Sequence, residues 1–350
     1  MKNKEFSERR KKILESVVDS YISEGEPVSS STIRDKYFPD ISSATIRNEL
    51  ALLEDMGYLM QPHISAGRIP SSLAYRYYVD NLLTLDKEAG DLDELKERFD
   101  THLSGVEEIV RNTAKVISDV TNYTSVVVLN PLTTVINRLK LVDLGDGSAL
   151  VIIVTDAGII RDQLIEVDGD MTEDYLNQAT KILNEIFNGR TLGEIRDNDD
   201  IVDERISDYR RLFEGIIDVL KRYREKSGKQ VYLEGTNKIF DYKEYEDVDN
   251  VKNFMSVIDA KDKLHELIEE NNDIEFSVKI GKEEGDGLTH MALVTAKYSI
   301  NGKEIGHAGV IGPERMDYKK VIKVLGQISS TLKTLSEDKL IESKNKDKKQ

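Results

Sequence analysis

The run Ser42-Ser43-Ala44-Thr45-Ile46-Arg47-Asn48-Glu49-Leu50, continued by Glu54-Asp55-Met56-Gly57-Tyr58, decides how the N-terminal part of this 350-residue chain is read. Ser42 or Ser43 offers a hydroxyl that accepts from free amides of a first helical turn, and Gly57 is placed to close the far end in a left-handed conformation. The helix between them spans about four turns. At about 100° per residue, Ile46, Leu50 and Leu53 share one stripe, while Ala44, Asn48 and Ala51 point away from it with Thr45 and Arg47 on the flanks. A solvated surface helix ordinarily carries Glu and Lys on that outer face. Small residues with Asn and Arg instead let a helix approach base edges: Asn pairs with adenine, Arg with guanine or a phosphate, and Ala or the Thr methyl touches the thymine methyl. Such a face also arises by chance, so the flanks decide.

Upstream, Arg9 to Ser23 carries Ile13, Leu14, Val17, Val18, Tyr21 and Ile22 at helical spacing and is stopped by Gly25-Glu26-Pro27. Val28 to Tyr37 reads as a second, short helix, with a cap among Ser29, Ser30 and Ser31 and Ile33 as its core anchor. Phe38-Pro39-Asp40-Ile41 is the turn, because Pro39 forces Phe38 out of helical geometry and has no amide hydrogen. Short helix, turn and capped helix make a two-helix DNA reader. Downstream, Tyr58 to Gln61 reads as a strand, and Pro62-His63-Ile64-Ser65-Ala66-Gly67-Arg68-Ile69-Pro70 as a rigid loop with Gly67 at its bend. That loop is the wing of a winged helix-turn-helix. Arg68 beside a glycine suits a phosphate or minor-groove contact; a plain surface arginine in a hairpin is the alternative.

Four motifs now stand together: Ser43-Ala44-Thr45-Ile46-Arg47-Asn48, His63-x-Ser65-Ala66-Gly67-Arg68-x-Pro70, Tyr75-Arg76-x-Tyr78-Val79-Asp80, and the distant block Val310-Ile311-Gly312-Pro313-Glu314-Arg315-Met316-Asp317-Tyr318. This set resembles the HrcA family, the bacterial heat-inducible transcription repressors, and lying near both ends of the chain it extends the resemblance over nearly all of it. The chain departs from the family pattern at Ser71, Ala74 and Glu314, where Thr, Gly and Thr are usual. The resemblance implies a GAF-like sheet domain split by an inserted dimerising domain, an operator of the CIRCE type before chaperone operons, and repression supported by the GroE chaperonin. Thr45, Arg47 and Asn48, with Ala44 beside them, are the expected base-contacting residues. Ser43 and Arg68 are expected at phosphates or groove edges, and His63 lies in the same wing.

Length and composition fit a regulator of more than one domain. The chain contains no cysteine, so disulfides and thiolate metal sites are excluded. Met1 to Lys12 is charged and no apolar run of secretory length follows; Val151 to Val154 is broken by Thr155 and Asp156, far short of a membrane span. A cytoplasmic protein without membrane contact is expected. The net charge of −16 is at odds with DNA binding until it is localised: residues 1–80 hold 11 Lys plus Arg against 12 Asp plus Glu, a net of −1, and the rest carries −15. So modest a basic surface predicts weak non-specific affinity, since phosphate neutralisation supplies most of that term. Specific binding then depends on geometry and on pairing two readers.

The remaining chain is read as α+β. Ser71 to Leu85 is a linker helix that completes a reader of residues 1–85, and residues 86–91 form a boundary. Leu92, Leu95, Phe99, Leu103, Val106, Val110, Ile117 and Val120 recur at helical spacing, as a coiled coil or as a core helix against a sheet would. Strands are predicted at Thr124 to Leu129, Val135 to Leu144, Ala149 to Thr155 and Ile159 to Val167, with hairpin turns at Gly145-Asp146-Gly147 and Asp156-Ala157-Gly158. No helix starts after either turn, so neither is a phosphate loop. Helices follow from Thr172 through Phe187 and from about Asp200 to Lys226, then a short strand at Val231 to Gly235 and a helix from Val251 to Glu270. Strands return at Ile274 to Ile280, His290 to Tyr298 and Glu304 to Ile311, before a helix from Tyr318 to Leu335. Sheet, helical block and sheet again predict an antiparallel sheet domain in two segments, 91–170 and 250–335, with an α/β domain inserted at 170–250; the resemblance implies that the inserted domain is the dimerisation domain. The charged, apolar-poor residues 336–350 read as a disordered tail.

No enzyme is expected. His63, His102, His265, His290 and His307 lie in separate elements without ligand spacing, the carboxylates form no recognisable catalytic pair, and neither cysteine nor a serine elbow offers a nucleophile. Neither cofactor nor metal is required. The expectation is a sequence-specific repressor whose partners are double-stranded DNA, a second copy of itself and the chaperonin; a winged-helix regulator whose sheet domain senses a small molecule is the alternative.

Overall fold

The computed structural model describes residues 6–63, 66–82, 98–99, 106–130, 134–145, 147–155, 160–166, 172–195, 209–227, 231–269, 276–281, 287–300, 303–328 and 330–331. Ser7 caps α1 (Glu8–Glu24) by accepting from the Arg10 amide. α2 (Ser30–Tyr37) starts later than its apolar spacing predicts, because Ser29 is the cap and Val28 is drawn into a strand-like bridge with Arg68. α3 (Ser43–Asp55) is capped by Ser42, whose side chain accepts from the Thr45 amide. Gly57 closes its far end at φ 82°, and the Tyr58 amide donates to the Leu53 carbonyl at 2.9 Å, which the last helical turn leaves free.

β1 (Leu59–Met60) pairs antiparallel with β2 (Ile69–Pro70), so the end of the expected loop is the returning strand of the wing. α4 (Ser72–Tyr77) is capped by Ser71, a hydroxyl that Thr would supply equally, and runs on as a π-turn over Tyr78–Leu82. Ile13, Leu14, Val17, Ile33, Ile46, Leu53 and Leu59 form the core beneath these elements.

Beyond this reader the chain runs through α5 (Val106–Thr121), β3 (Thr124–Leu129), β4 (Ile136–Gly145), β5 (Ser148–Thr155), β6 (Ile160–Glu166), α6 (Glu173–Phe187) and α7 (Arg210–Ser227). It continues through β7 (Val231–Glu234), α8 (Val248–Asp259), α9 (Lys261–Glu269), β8 (Phe276–Ile280), β9 (Met291–Ile300) and β10 (Lys303–Pro313), then a helix over 318–328. One antiparallel sheet has the order β7-β3-β10-β9-β8 and a second the order β4-β5-β6. Both faces of the larger sheet are covered. Val127 and Leu129 join the core that holds Val110 and Ile117 of α5 and Val321 and Leu325 of the last helix, while Val126 and Val128 face Ile239, Phe254 and Leu264. Hence Val126–Leu129 is an unbroken apolar run. α5 is thus a core helix on a sheet; of the longer apolar repeat, Leu92, Leu95 and Leu103 lie outside the described residues.

The smaller sheet has its own core, in which Leu139, Val151 and Ile153 meet Leu183, Phe187, Phe213 and Ile216. Asn184 of α6 pins this layer: its side-chain oxygen accepts from the Leu139 amide at 2.8 Å and its amide donates to the Leu139 carbonyl at 2.7 Å. The expected division at 170 and 250 therefore does not match the strand pairing. β4, β5 and β6 pair among themselves and pack on α6 and α7, and the chain rejoins the five-stranded sheet at Val231, opposite Val128. Strand periodicity is the same whichever sheet a strand joins, so it marks the strands and not their partners. The predicted helix of Val251 to Glu270 is two helices parted at Ala260. Residues 86–91, 156–158 and 336–350, where a boundary, a turn and a tail are expected, lie outside the described residues.

The reader and the larger sheet share one continuous core through Tyr75 and Tyr78 against Tyr318 and Val321. The block Val310–Tyr318 forms the joint. Glu314 accepts from the Ser72 hydroxyl at 2.7 Å, and Arg315 pairs with Glu244, donates to the Ile22 carbonyl at 3.4 Å and stands over the Tyr242 ring. Among the described residues, no helix is long and apolar enough to cross a membrane.

Candidate nucleic-acid interface

The stripe of α3 predicted to point inward is buried: Ile46, Leu50 and Leu53 lie in the reader's core. Ala44, Arg47, Asn48 and Ala51 are all exposed on the opposite side, in one patch over the first turns of the helix. No large apolar group stands between this patch and solvent, so a groove floor can approach the backbone closely. Thr45 is half-buried at the patch edge, its hydroxyl 2.9 Å from Ser42 Oγ. Ser43 turns towards α2, with its hydroxyl 3.0 Å from Ser30 Oγ. It fixes how the two helices of the reader cross.

The wing brings His63 and Arg68 near α3 in different ways. His63 is exposed, and its carbonyl accepts from the Ala66 amide at 2.9 Å across the tip, whose residues 64 and 65 lie outside the described set. Arg68 sits at the root of the wing instead. Its Nη2 lies 2.7 Å from Glu54 Oε2 of α3, with the two side chains 18% and 32% exposed. Gly67 is also not at the bend: a Cβ there would stand 2.4 Å from the Val28 carbonyl oxygen. Val28 and Arg68 exchange N–H···O=C bonds of 2.9 and 2.8 Å at this point, so glycine is required by the close approach of two backbones.

Charge in the reader is neutralised internally. Glu49 of α3 takes Arg10 at 2.9 Å and Arg9 at 3.8 Å, and Lys11, Arg34, Lys36, Arg68 and Arg76 each have a carboxylate within pairing distance. Among the described residues Lys12 and Arg47 stand outside these pairs, and Arg47 lies on the exposed patch. Glu49 and Glu54 are the functional candidates that sequence reasoning missed. Their positions between the apolar stripe and the outer face were the available signal, but their partners come from α1 and the wing.

At the joint behind the reader, burial, then Tyr318, Tyr21 and the carboxylates of Glu314 and Glu244, push the Tyr75 phenol well above its ordinary pKa, so it is a neutral hydroxyl there. Of the histidines besides His63, His102 lies outside the described residues, and His265, His290 and His307 sit on α9, before β9 and in β10. Among the described residues, no group of three His, Asp or Glu side chains is placed to hold a metal ion.

Residues 107–322 match the family described as HrcA protein C terminal domain. The chain is 36% identical over 337 residues to the heat-inducible transcription repressor HrcA of Ruminiclostridium cellulolyticum, covering 93% of this chain and 96% of that one. It is likewise 36% identical over 345 residues to the protein of the same name from Clostridium tetani, covering 95% and 97%. A crystal structure of a hypothetical protein at 2.2 Å resolution shares the fold, with a TM-score of 0.62 at 23% identity over 95% of this chain and 100% of that chain. A family match across more than half of the sequence, with relatives aligned over nearly their whole length, means that this chain belongs to the HrcA family of heat-inducible transcription repressors.

Proposed function

We propose that this protein represses heat-shock chaperone operons by binding a CIRCE-type inverted repeat as a dimer, with the GroE chaperonin sustaining its active form. The observation that carries the DNA-binding reading is the outer face of α3, where Ala44, Arg47 and Asn48 are exposed while every large apolar residue of the helix's core stripe is buried. In this reading two copies of α3 enter successive major grooves, with half-site spacing set by the dimer. Thr45, Arg47 and Asn48 read base edges and Ala44 lies against a thymine methyl. Ser43, His63 and Arg68 contact phosphates or the groove edge. Neither cofactor nor metal takes part, and the site of action is the cytoplasm.

Pairing is assigned to the inserted unit, with the five-stranded sheet as the GAF-like domain that it splits. On the outer side of the smaller sheet, Val142 faces Leu150 and Leu150 faces Leu164, making an apolar row across all three strands. Leu144 and Leu164 are more than half exposed there.

Asn48→Ala tests the reading. It should lose about 1–3 kcal/mol on the operator and little on random DNA in a binding titration. An equal loss on both would deny base reading. The chaperonin limb is tested separately: operator affinity that is the same with and without chaperonin, before and after mild heating, would sink it.

One observation favours the alternative of small-molecule sensing. A cleft of about 490 Å³ opens beside the joint between the reader and the larger sheet, lined by Tyr21, Tyr75, Glu244, His290, Glu314 and Arg315. Tyr75 is 2% exposed, and its hydroxyl has no hydrogen-bond partner among the described residues. A compound that fills this cleft and shifts operator affinity would move the reading from chaperonin to metabolite.

A further inference from the structure

We infer that Glu54 is the displaceable counter-ion of a phosphate seat: free protein holds Arg68 against Glu54, and a DNA backbone phosphate takes the carboxylate's place between Arg68 and Arg47. This rests on the DNA-binding reading above. A cleft of about 430 Å³ opens between α3, the wing and the start of α2, and its polar lining is made of Ser29, Ser30, Arg47, Gln61 and Arg68. Every one of these side chains can donate a hydrogen bond and none carries negative charge. The carboxylate paired with them is Glu54, at 2.7 Å from Arg68 Nη2.

Three features make the carboxylate, and not the arginine, the mobile partner. Arg68 is held by its backbone exchange with Val28 at the wing root, whereas Glu54 is the more exposed of the two, at 32% against 18%. Arg68 Nε is buried and has no hydrogen-bond partner among the described residues, so Glu54 leaves part of the guanidinium unused. The two non-bridging oxygens of a backbone phosphate match the planar fork of donors as a carboxylate does, and can reach both cations at once. Arg47, exposed one side of the cleft, supplies the second cation without a carboxylate to give up.

The consequence is a weaker hold on DNA outside the operator. Displacing Glu54 opposes every phosphate alike, so it weakens random DNA and the operator equally, and only base contacts made at the operator restore the loss. The freed carboxylate stays beside the DNA and lowers the net positive charge brought to it, so fewer counter-ions are released.

The test is Glu54→Gln in the full chain, titrated by fluorescence anisotropy against operator and random duplexes over a series of salt concentrations. Affinity for random DNA should rise several-fold, and the slope of log K against log salt should steepen by up to about 0.9 per reader. Glu54→Ala, which keeps a strong helix former, should do the same and serves if the Gln variant does not fold. Arg68→Gln should abolish the gain, so that the double variant binds no better than Arg68→Gln alone. Weaker binding of both DNAs by the Glu54 variants would make Glu54 a support for Arg68 and overturn the inference. Unchanged random-DNA affinity and slope would overturn it too, while leaving the DNA-binding reading intact. Wild-type protein that does not distinguish operator from random DNA would sink both.

Discussion

The outer face of α3 and the outer face of the β4-β5-β6 sheet invite comparison, because their inner faces are alike. Ile46, Leu50 and Leu53 on one, and Leu139, Val151 and Ile153 on the other, are buried aliphatic residues of ordinary core packing. The outer faces differ completely. α3 shows Ala44, Arg47 and Asn48, whereas the sheet shows the cross-strand row of Val142, Leu150 and Leu164. A surface that meets hydrated polyanionic DNA needs fixed donors and little bulk; a surface that meets another copy of itself gains from removing apolar area from water. Folding accounts for the inner faces, and the function proposed above assigns DNA binding to one outer face and pairing to the other. If so, the two outer faces can be broken independently.

Leu164→Asp should give the largest effect. The side chain is 55% exposed, so the fold should change by no more than about 0.5 kcal/mol. A carboxylate in the apolar row would have to be desolvated on pairing, and the dimer should fall apart. Losing the second reader removes its effective concentration, so operator affinity should drop by about 10²-fold to 10⁴-fold while a single half-site is bound as before. Sedimentation velocity together with operator and half-site titrations checks this. A variant that stays dimeric would move the interface off this sheet.

The two faces were not equally legible in the sequence. α3 was readable because its signals are local: a serine cap, a left-handed Gly57, Pro39 in the turn before it, and a period that assigns each side chain to a face. The strands were legible as strands, since β3 occupies the predicted Thr124–Leu129. Their sheet was not, because nothing in Val231–Glu234 says that it pairs with β3 across the whole inserted unit. The same limit applies inside the site. Glu54 with Arg68, Ser43 with Ser30 and Gly67 against Val28 are all meetings of separate elements. The block around Glu314 and Arg315 stood out only by resemblance; its place at the joint depends on Ser72, Ile22 and Glu244, which no local pattern connects to it.

Gly67→Ala should sharpen the comparison from the other side, with a smaller effect. The added methyl would sit 2.4 Å from the Val28 oxygen and 2.7 Å from the Pro27 oxygen, and both are backbone atoms that cannot swing aside. Relief requires the wing strand to lift off Val28, loosening the two backbone hydrogen bonds that Val28 and Arg68 exchange. Overpacking of this kind costs about 1–3 kcal/mol. Since the bridge also seats Arg68 beside α3, operator affinity should fall by about tenfold, and half-site affinity should fall with it. Dimerisation should not change, because the reader and the smaller sheet have separate cores. Thermal melting, sedimentation and half-site titration of the one variant therefore separate the two faces: Leu164→Asp removes pairing and spares the half-site, Gly67→Ala does the reverse. A Gly67→Ala protein that loses its dimer would show that the wing and the sheet are coupled, and that the outer faces are not independent after all.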